Sequence, residues 1–365
     1  MSLLVVSDGA INGFRINSND DELFGEPQKA GIFLKLQYRY RDRIPQLMAR
    51  LPFKAFADLA EQDVSSRPVN WFLREDDDLV RIVSGAQLKG ADLRNANAVA
   101  AFLVKADLRE AKLDRAVLRE AQLQKANLNK ASMYGANLYR AMLEEADLSQ
   151  AYLQRGMLWN ANLIKADLSN ADLRYTELMG AQLREANIED GKLQHARAGR
   201  TSLSGARLSR ADLTMTYLHE ATMDHSNLEG ANLCGTVLMR AKMDHANLNG
   251  VRYDCPQYLS DPYKRSNFES TQLRNATIRW GNLSHVYLAN ADLREADLSN
   301  AVLDFADLSN AQMNKTILKK TNFRGADLQT AIGLTQEQIN LACLSETTKL
   351  PPHLKRPRPC AEVSR

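Results

Sequence analysis

The chain has 365 residues, 47 basic and 44 acidic, with a formal net charge of +3 at neutral pH. A balance this close gives no basis for a nucleic-acid or membrane partner chosen by bulk charge. Hydrophobic residues make up 44% and charged residues 25%, which excludes a disordered chain, while aromatics reach only 7%, so the apolar content is aliphatic and alanine-rich.

The start, MSLLVVSDGAING, has a four-residue apolar run and no basic leader, and no stretch of the chain approaches the ~18 apolar residues of a membrane span. A soluble, cytoplasmic protein is the expectation. Residues 1–85 read as a small α+β region. IFLKLQY near residue 32 suggests a strand. Leu47, Met48, Leu51, Phe56 and Leu59 suggest a helix over 44–62, interrupted near Pro52. Trp71, Phe72 and Leu73 are expected to pack on the start of the region after residue 85, with Asp76, Asp77 and Asp78 solvated.

From Ala86 to Thr330 the chain repeats every five residues, in 49 successive units such as ADLRN, ADLRE, ANLNK and ADLSQ. The third position is Leu, Ile, Met, Phe or Tyr in 47 units, the exceptions being Ala98 and Ala198, and the first is small in 47, the exceptions being Pro256 and Asp261. Five residues turn an α-helix by roughly 500°, so its leucines would spiral around the axis. Nor can a straight strand hold them, because its side chains alternate with period two and five is odd. The chain must therefore bend at every unit and close into coils, stacked about 4.8 Å apart as parallel strands are.

These units resemble the pentapeptide-repeat family, whose pattern is a small residue, Asp or Asn, Leu or Phe, a polar residue and a variable one. The resemblance covers about two thirds of the chain. It implies an all-β solenoid, a right-handed quadrilateral β-helix of four units per coil. That makes about twelve coils at the inter-strand spacing, with leucine and alanine inside. Asp92, Asp107, Asn127, Asp147 and Asp167, at second positions, are expected to bond the local backbone of turns.

One segment departs from the pattern. Between 254 and 265 the sequence DCPQYLSDPYKR carries two prolines and places Asp261 where a small inward residue belongs, so a projecting loop or a distorted coil is expected. The phase of five survives it, and Tyr253, Tyr258 and Tyr263 fall at third positions. Beyond residue 330, GLTQEQINLACL offers Thr335 as N-cap with Gln338 three residues on, a short helix suited to covering the last coil. The end of the 331–365 region, KLPPHLKRPRP, is basic and proline-rich, and an extended tail is expected.

No phosphate-binding loop, HExxH, GxSxG or paired CxxC is present, and region 1–85 holds no recognisable nucleophile–base or metal-ligand set, so no enzyme and no cofactor is expected. Cys234, Cys255, Cys343 and Cys360 lack both the spacing of a metal site and the density of a disulfide scaffold, and free thiols in a reducing compartment are expected. His225 and His245 stand four units apart, each after an aspartate (Asp224, Asp244), and His285 falls in the same column if the proline segment does not shift it. They are weak metal candidates, because zinc usually needs a third or fourth ligand.

Outward apolar side chains carry more information. Tyr139, Trp159 and Met179 recur at intervals of four units, with Met157 on the same face and Tyr134, Tyr152 and Tyr175 on the adjoining one. Contiguous exposed apolar side chains mark interfaces. The expected function is thus a non-catalytic protein-interaction scaffold or adaptor. Its partner is another protein, or a second copy of this chain in a homodimer, with no direct nucleic acid and no membrane. The resemblance offers one alternative, a DNA mimic that binds or protects DNA gyrase. Such mimics carry strong negative charge, whereas these repeats hold 31 basic and 28 acidic residues. If every coil takes four units, one face, through the units at Ala86, Ala106 and Ala126, still keeps a weakly acidic stripe.

Overall fold

The computed structural model describes residues 2–7, 10–15, 85–253 and 265–357. The strand expected near residue 32, the helix over 44–62, the packing of Trp71 to Leu73, the 254–264 segment with Tyr258 and Tyr263, and the stretch 358–365 lie outside the described residues. The chain divides into two compact units, Met1–Asp172 and Leu173–Arg365.

The first unit opens with an antiparallel pair, β1 (Ser2–Ser7) and β2 (Ala10–Arg15), in the register Ser2↔Arg15 to Ser7↔Ala10. Asp8-Gly9 stands between the paired ends in the sequence, the dipeptide that most favours a two-residue hairpin loop.

From residue 85 the same five-residue device recurs, and the stretch Ala126 to Lys130 shows how it satisfies the backbone. The Ala126 N–H donates to the Leu123 carbonyl (3.0 Å), closing the corner. The Asn127 N–H reaches the Ala106 carbonyl of the preceding coil (2.8 Å), and the Leu128 and Lys130 N–H groups reach Asp147 and Ser149 of the next (2.6 and 3.0 Å). Only the N–H of Asn129 lacks a backbone partner, and it donates to the Asn127 side-chain oxygen at 3.0 Å. A buried or half-buried N–H left unpaired would cost about 1–3 kcal/mol, which is the reason for Asp or Asn at second positions. Asp92, Asp107, Asp147 and Asp167 accept the equivalent bond.

Single parallel bridges join the second positions of successive coils, as in Gln87↔Asp107, Asp107↔Asn127 and Asn127↔Asp147, so four five-residue repeats make one coil. Ala126 and Leu128 are fully buried. Burying a leucine contributes about 1.5–3 kcal/mol before entropy. The corner is made at the fifth position, which takes a left-handed φ of +57° at Lys105, Arg115 and Lys130 alike. Glycine and asparagine tolerate that region best, and both recur there, at Gly90, Asn95, Gly135 and Asn160 among others.

The second unit follows the same plan with one interruption. Bridges keep the regular four-repeat step up to Asn232↔Arg252, but Val237↔Asn267, Lys242↔Gln272, Asn247↔Thr277 and Arg252↔Asn282 take a step of six repeats, and Asn267↔Tyr287 returns to four. The excess is two whole repeats, so the phase of five passes through unchanged while every later residue moves round by two sides.

At the C-terminus, α1 (Gln336–Asn340) begins with a capping box between Thr335 and Gln338 and buries Ile339. The Gln338 side-chain amide donates to the Met313 and Thr316 carbonyls (2.9 and 2.8 Å), and the Cys343 and Lys349 N–H groups donate to the Thr321 and Ala326 carbonyls (2.7 and 3.0 Å). The bonds to Thr316, Thr321 and Ala326 occupy carbonyls that a further coil would otherwise take.

One expectation is corrected here. Cys234 and Cys343 are disulfide-bonded, not free thiols. Spacing along the chain carries no information about which thiols the fold brings within bonding range, and that is why the sequence reading missed them.

Candidate interaction surface

The outward apolar residues of the first unit stand on two adjoining sides of the coils. On one side Val117, Asn137 and Met157 follow one another in the ladder, with Arg119, Tyr139 and Trp159 two residues further along each coil. The Tyr139 N–H donates to the Asn137 side chain (3.1 Å), and the Arg140 N–H to the Trp159 carbonyl (3.0 Å), which fixes the spacing of the two aromatic residues. Met157 and Trp159 are exposed, Tyr139 half-buried. The guanidiniums of Arg119 and Arg140 both lie over the Tyr139 ring, each 5.4 Å from its centroid. On the adjoining side Ser132↔Tyr152 continues the ladder. Tyr134 beside it is anchored through its N–H to Asp114 (3.0 Å) and exposes its ring, and Tyr152 is 53% exposed.

Tyr175 and Met179, expected to extend these two columns, belong to the second unit. Tyr175 stacks face to face on His195 (4.9 Å between centroids, interplanar angle 0°), and Met179 is exposed. The sequence reading passed over further exposed apolar side chains. Tyr217 and Ile317 hold second positions, Trp280 (69% exposed) and Phe305 fifth positions, and Phe305 stacks on His285 at 5.0 Å. Their places in the five-residue repeat mark all four as outward, a signal available in the sequence.

Residues 86–155, 158–190, 192–252 and 282–332 match the family model described as pentapeptide repeats. The chain belongs to the pentapeptide-repeat family. HetL, a pentapeptide repeat protein involved in heterocyst differentiation regulation from the cyanobacterium Nostoc, is 28% identical over 65% of this chain and 90% of its own, with a TM-score of 0.29. QnrB1, a plasmid-mediated fluoroquinolone resistance protein, is 14% identical over 51% of this chain and 91% of its own, with a TM-score of 0.36. A pentapeptide repeat protein of the Arabidopsis thaliana thylakoid lumen is 22% identical over 38% and 67%, with a TM-score of 0.14. No curated protein matches the chain at a significant level.

Two further expectations change once the pentapeptide-repeat ladder is followed through its long step. His225 and His245 do stack, with centroids 4.8 Å apart and planes within 3°. The nitrogen lone pairs of an imidazole lie in the ring plane, so those of two parallel stacked rings point side by side and do not converge on one ion. No cluster of three or more metal-ligating side chains occurs among the described residues. His285 leaves their column, because Asn247 pairs with Thr277 and residue 245 is followed by 275.

The same shift dissolves the acidic stripe. In the second unit, the side on which Asn187 stands runs through Arg207, Asn227, Asn247, Thr277, Asp297 and Ile317. On it Arg207, Arg210, Arg279, Lys319 and Lys320 stand against Glu189, Asp190, Glu229 and Asp297. More than half of the negative charge of an unbroken four-repeat count came from repeats that sit two sides away.

Among the described residues no helix is long and apolar enough to cross a membrane. Part of the surface charge is paired. Arg109 donates to Asp107 (2.8 and 2.6 Å) and holds its carboxyl below the usual range, and Arg210 does the same for Asp190 one coil away.

Proposed function

We propose that this pentapeptide-repeat protein is a non-catalytic interaction scaffold, and that the two adjoining sides carrying Tyr134, Tyr139, Tyr152, Met157 and Trp159 receive another protein. The observation that carries the reading is the exposure of Tyr134, Tyr152, Met157 and Trp159 on coils whose backbones are bonded to one another level by level. A rigid surface loses little entropy on binding, which favours using it for recognition. In this reading residues 1–85 and 331–365 close the ends of the repeat, and Tyr175 and Met179 offer further contact. The DNA-mimic alternative draws no support from charge, since the repeats carry no net acidity, and no effect on gyrase supercoiling is expected. The disulfide bonding of Cys234 and Cys343 favours an oxidising compartment over the cytoplasm.

The test is affinity capture from the native host with the wild-type chain and with the Tyr139→Ser/Trp159→Ser double variant. The variant, folded by circular dichroism, should lose the partner that the wild type retains. Equal capture by both would refute the placement of the surface. Sedimentation of both forms separates a second copy of the chain from a different protein as the occupant.

A further inference from the structure

If this surface receives a protein, as the scaffold reading holds, the charged groups around Tyr139 say more about that protein than the aromatic residues do. Several arginines of the surface are neutralised in place. Arg94 pairs with Asp92, Arg109 with Asp107, Arg210 with Asp190 and Arg294 with Asp292, each at 2.5–2.6 Å. Arg115, Arg119 and Arg140 differ, since none of the three forms an ion pair among the described residues. Arg119 and Arg140 face one tyrosine ring, in adjacent coils, beside exposed Met157 and Trp159.

The nearby carboxylates do not compensate them. Asp114 accepts the Ser132 hydroxyl (2.5 Å) and the Tyr134 N–H (3.0 Å), and Glu145 pairs with Lys125 (3.4 Å). Glu144 accepts the Asn162 side-chain amide. Glu120 stands exposed and makes no ion pair with Arg140. A tyrosine face attracts a cation by only about 0.5–1 kcal/mol at an exposed site, less than a well-oriented carboxylate supplies. Two guanidiniums gathered on one ring make no ion pair among the described residues and stand beside the exposed Met157 and Trp159.

We propose that this side of the first unit binds an acidic segment of a partner protein, an inference that rests on the scaffold reading. An Asp or Glu carboxylate would enter between Arg119 and Arg140, and an adjoining apolar or aromatic side chain would rest on Met157 and Trp159. Charge complementarity selects this occupant over a basic one, which the same arginines repel.

The probe is a synthetic peptide of alternating glutamate and phenylalanine, titrated into the full chain by calorimetry. The expected result is saturable binding that weakens as salt rises and falls about tenfold in the Arg119→Gln/Arg140→Gln variant. Arg119→Lys/Arg140→Lys, which keeps charge but loses the planar fork, should lie between. A peptide with lysine in place of glutamate should not bind. No binding of the acidic peptide, or binding that ignores the glutamine variant, would overturn the proposal. So would tighter arginine-dependent binding of an oligothymidylate, since aromatic rings interleaved with arginine also suit single-stranded nucleic acid. Native-host capture abolished by Tyr139→Ser/Trp159→Ser but indifferent to Arg119→Gln/Arg140→Gln would keep the scaffold and reject the acidic partner.

Discussion

The two compact units execute one five-residue code with different materials. In the first, every inward first position from Ala86 to Ala171 is alanine except Gly156. In the second, Thr176, Thr201, Thr216, Ser226, Thr236, Ser266, Thr271, Thr316 and Thr321 take that place and are buried. Their hydroxyls reach carbonyls inside the coil wall, Thr216 to Leu193, Thr236 to Leu213 and Thr316 to Leu293 at 2.8–2.9 Å. A polar group is tolerated in a dry axis when a backbone acceptor stands at the right height, and stacked coils supply one at every level. The second unit also carries the long step and both disulfide-bonded cysteines described, so the unit with the less regular coils is the one with covalent cross-linking.

The first way to break this comparison is to empty the shared core. Leu128→Ala and Leu208→Ala remove equivalent, fully buried side chains from the two units, and each should cost about 2–5 kcal/mol in urea denaturation. A much smaller loss in either unit would show that its axis is not packed as described. Next in size is the disulfide bonding at Cys343. Cys343→Ser should lower stability by about 2–4 kcal/mol, and alkylation without reductant should leave Cys234 and Cys343 unmodified by mass spectrometry. Labelling of either residue would restore the free-thiol reading.

A smaller effect sharpens the role of the hydroxyls. Thr216→Val keeps the shape and loses the bond, and should cost about 1 kcal/mol. The reciprocal Ala136→Thr occupies the matching place in a coil of the first unit, where its hydroxyl can reach the Leu113 carbonyl, and should cost less than Ala136→Val. The reverse order would separate the two units in kind.

The smallest effect is on pH dependence. Hydrogen bonds from Arg109 and Arg210 depress the carboxyls of Asp107 and Asp190. A carboxyl depressed in the folded state adds stability that is complete above its unfolded pKa and is lost as pH falls through the folded one. Asp190→Asn, whose pair spans two coils, should therefore narrow the difference between urea midpoints at neutral pH and in the acid range. An unchanged difference would mean that the pair contributes nothing.

Much of this molecule was legible without coordinates. A large residue every fifth place and a small one two before it exclude helix and straight strand, because neither geometry keeps a five-residue period on one face. Asp and Asn at second positions announced a turn bond, and Thr335 with Gln338 announced a helix start; both are local, spanning two or three residues. The hairpin was legible too, in Asp8-Gly9, and was overlooked.

The rest was decided in three dimensions. Whether a coil takes four repeats or six depends on which strands pair, and an excess of two whole repeats is invisible to a period of five. That one choice moved His285 out of the His225 column and scattered the acidic stripe. Ring planes show that His225 and His245 stack, and distance in space, not in sequence, decided the disulfide bonding and the placing of Arg119 and Arg140 over Tyr139. A repeated unit dictates its own backbone, but what stands beside what is a property of the stack.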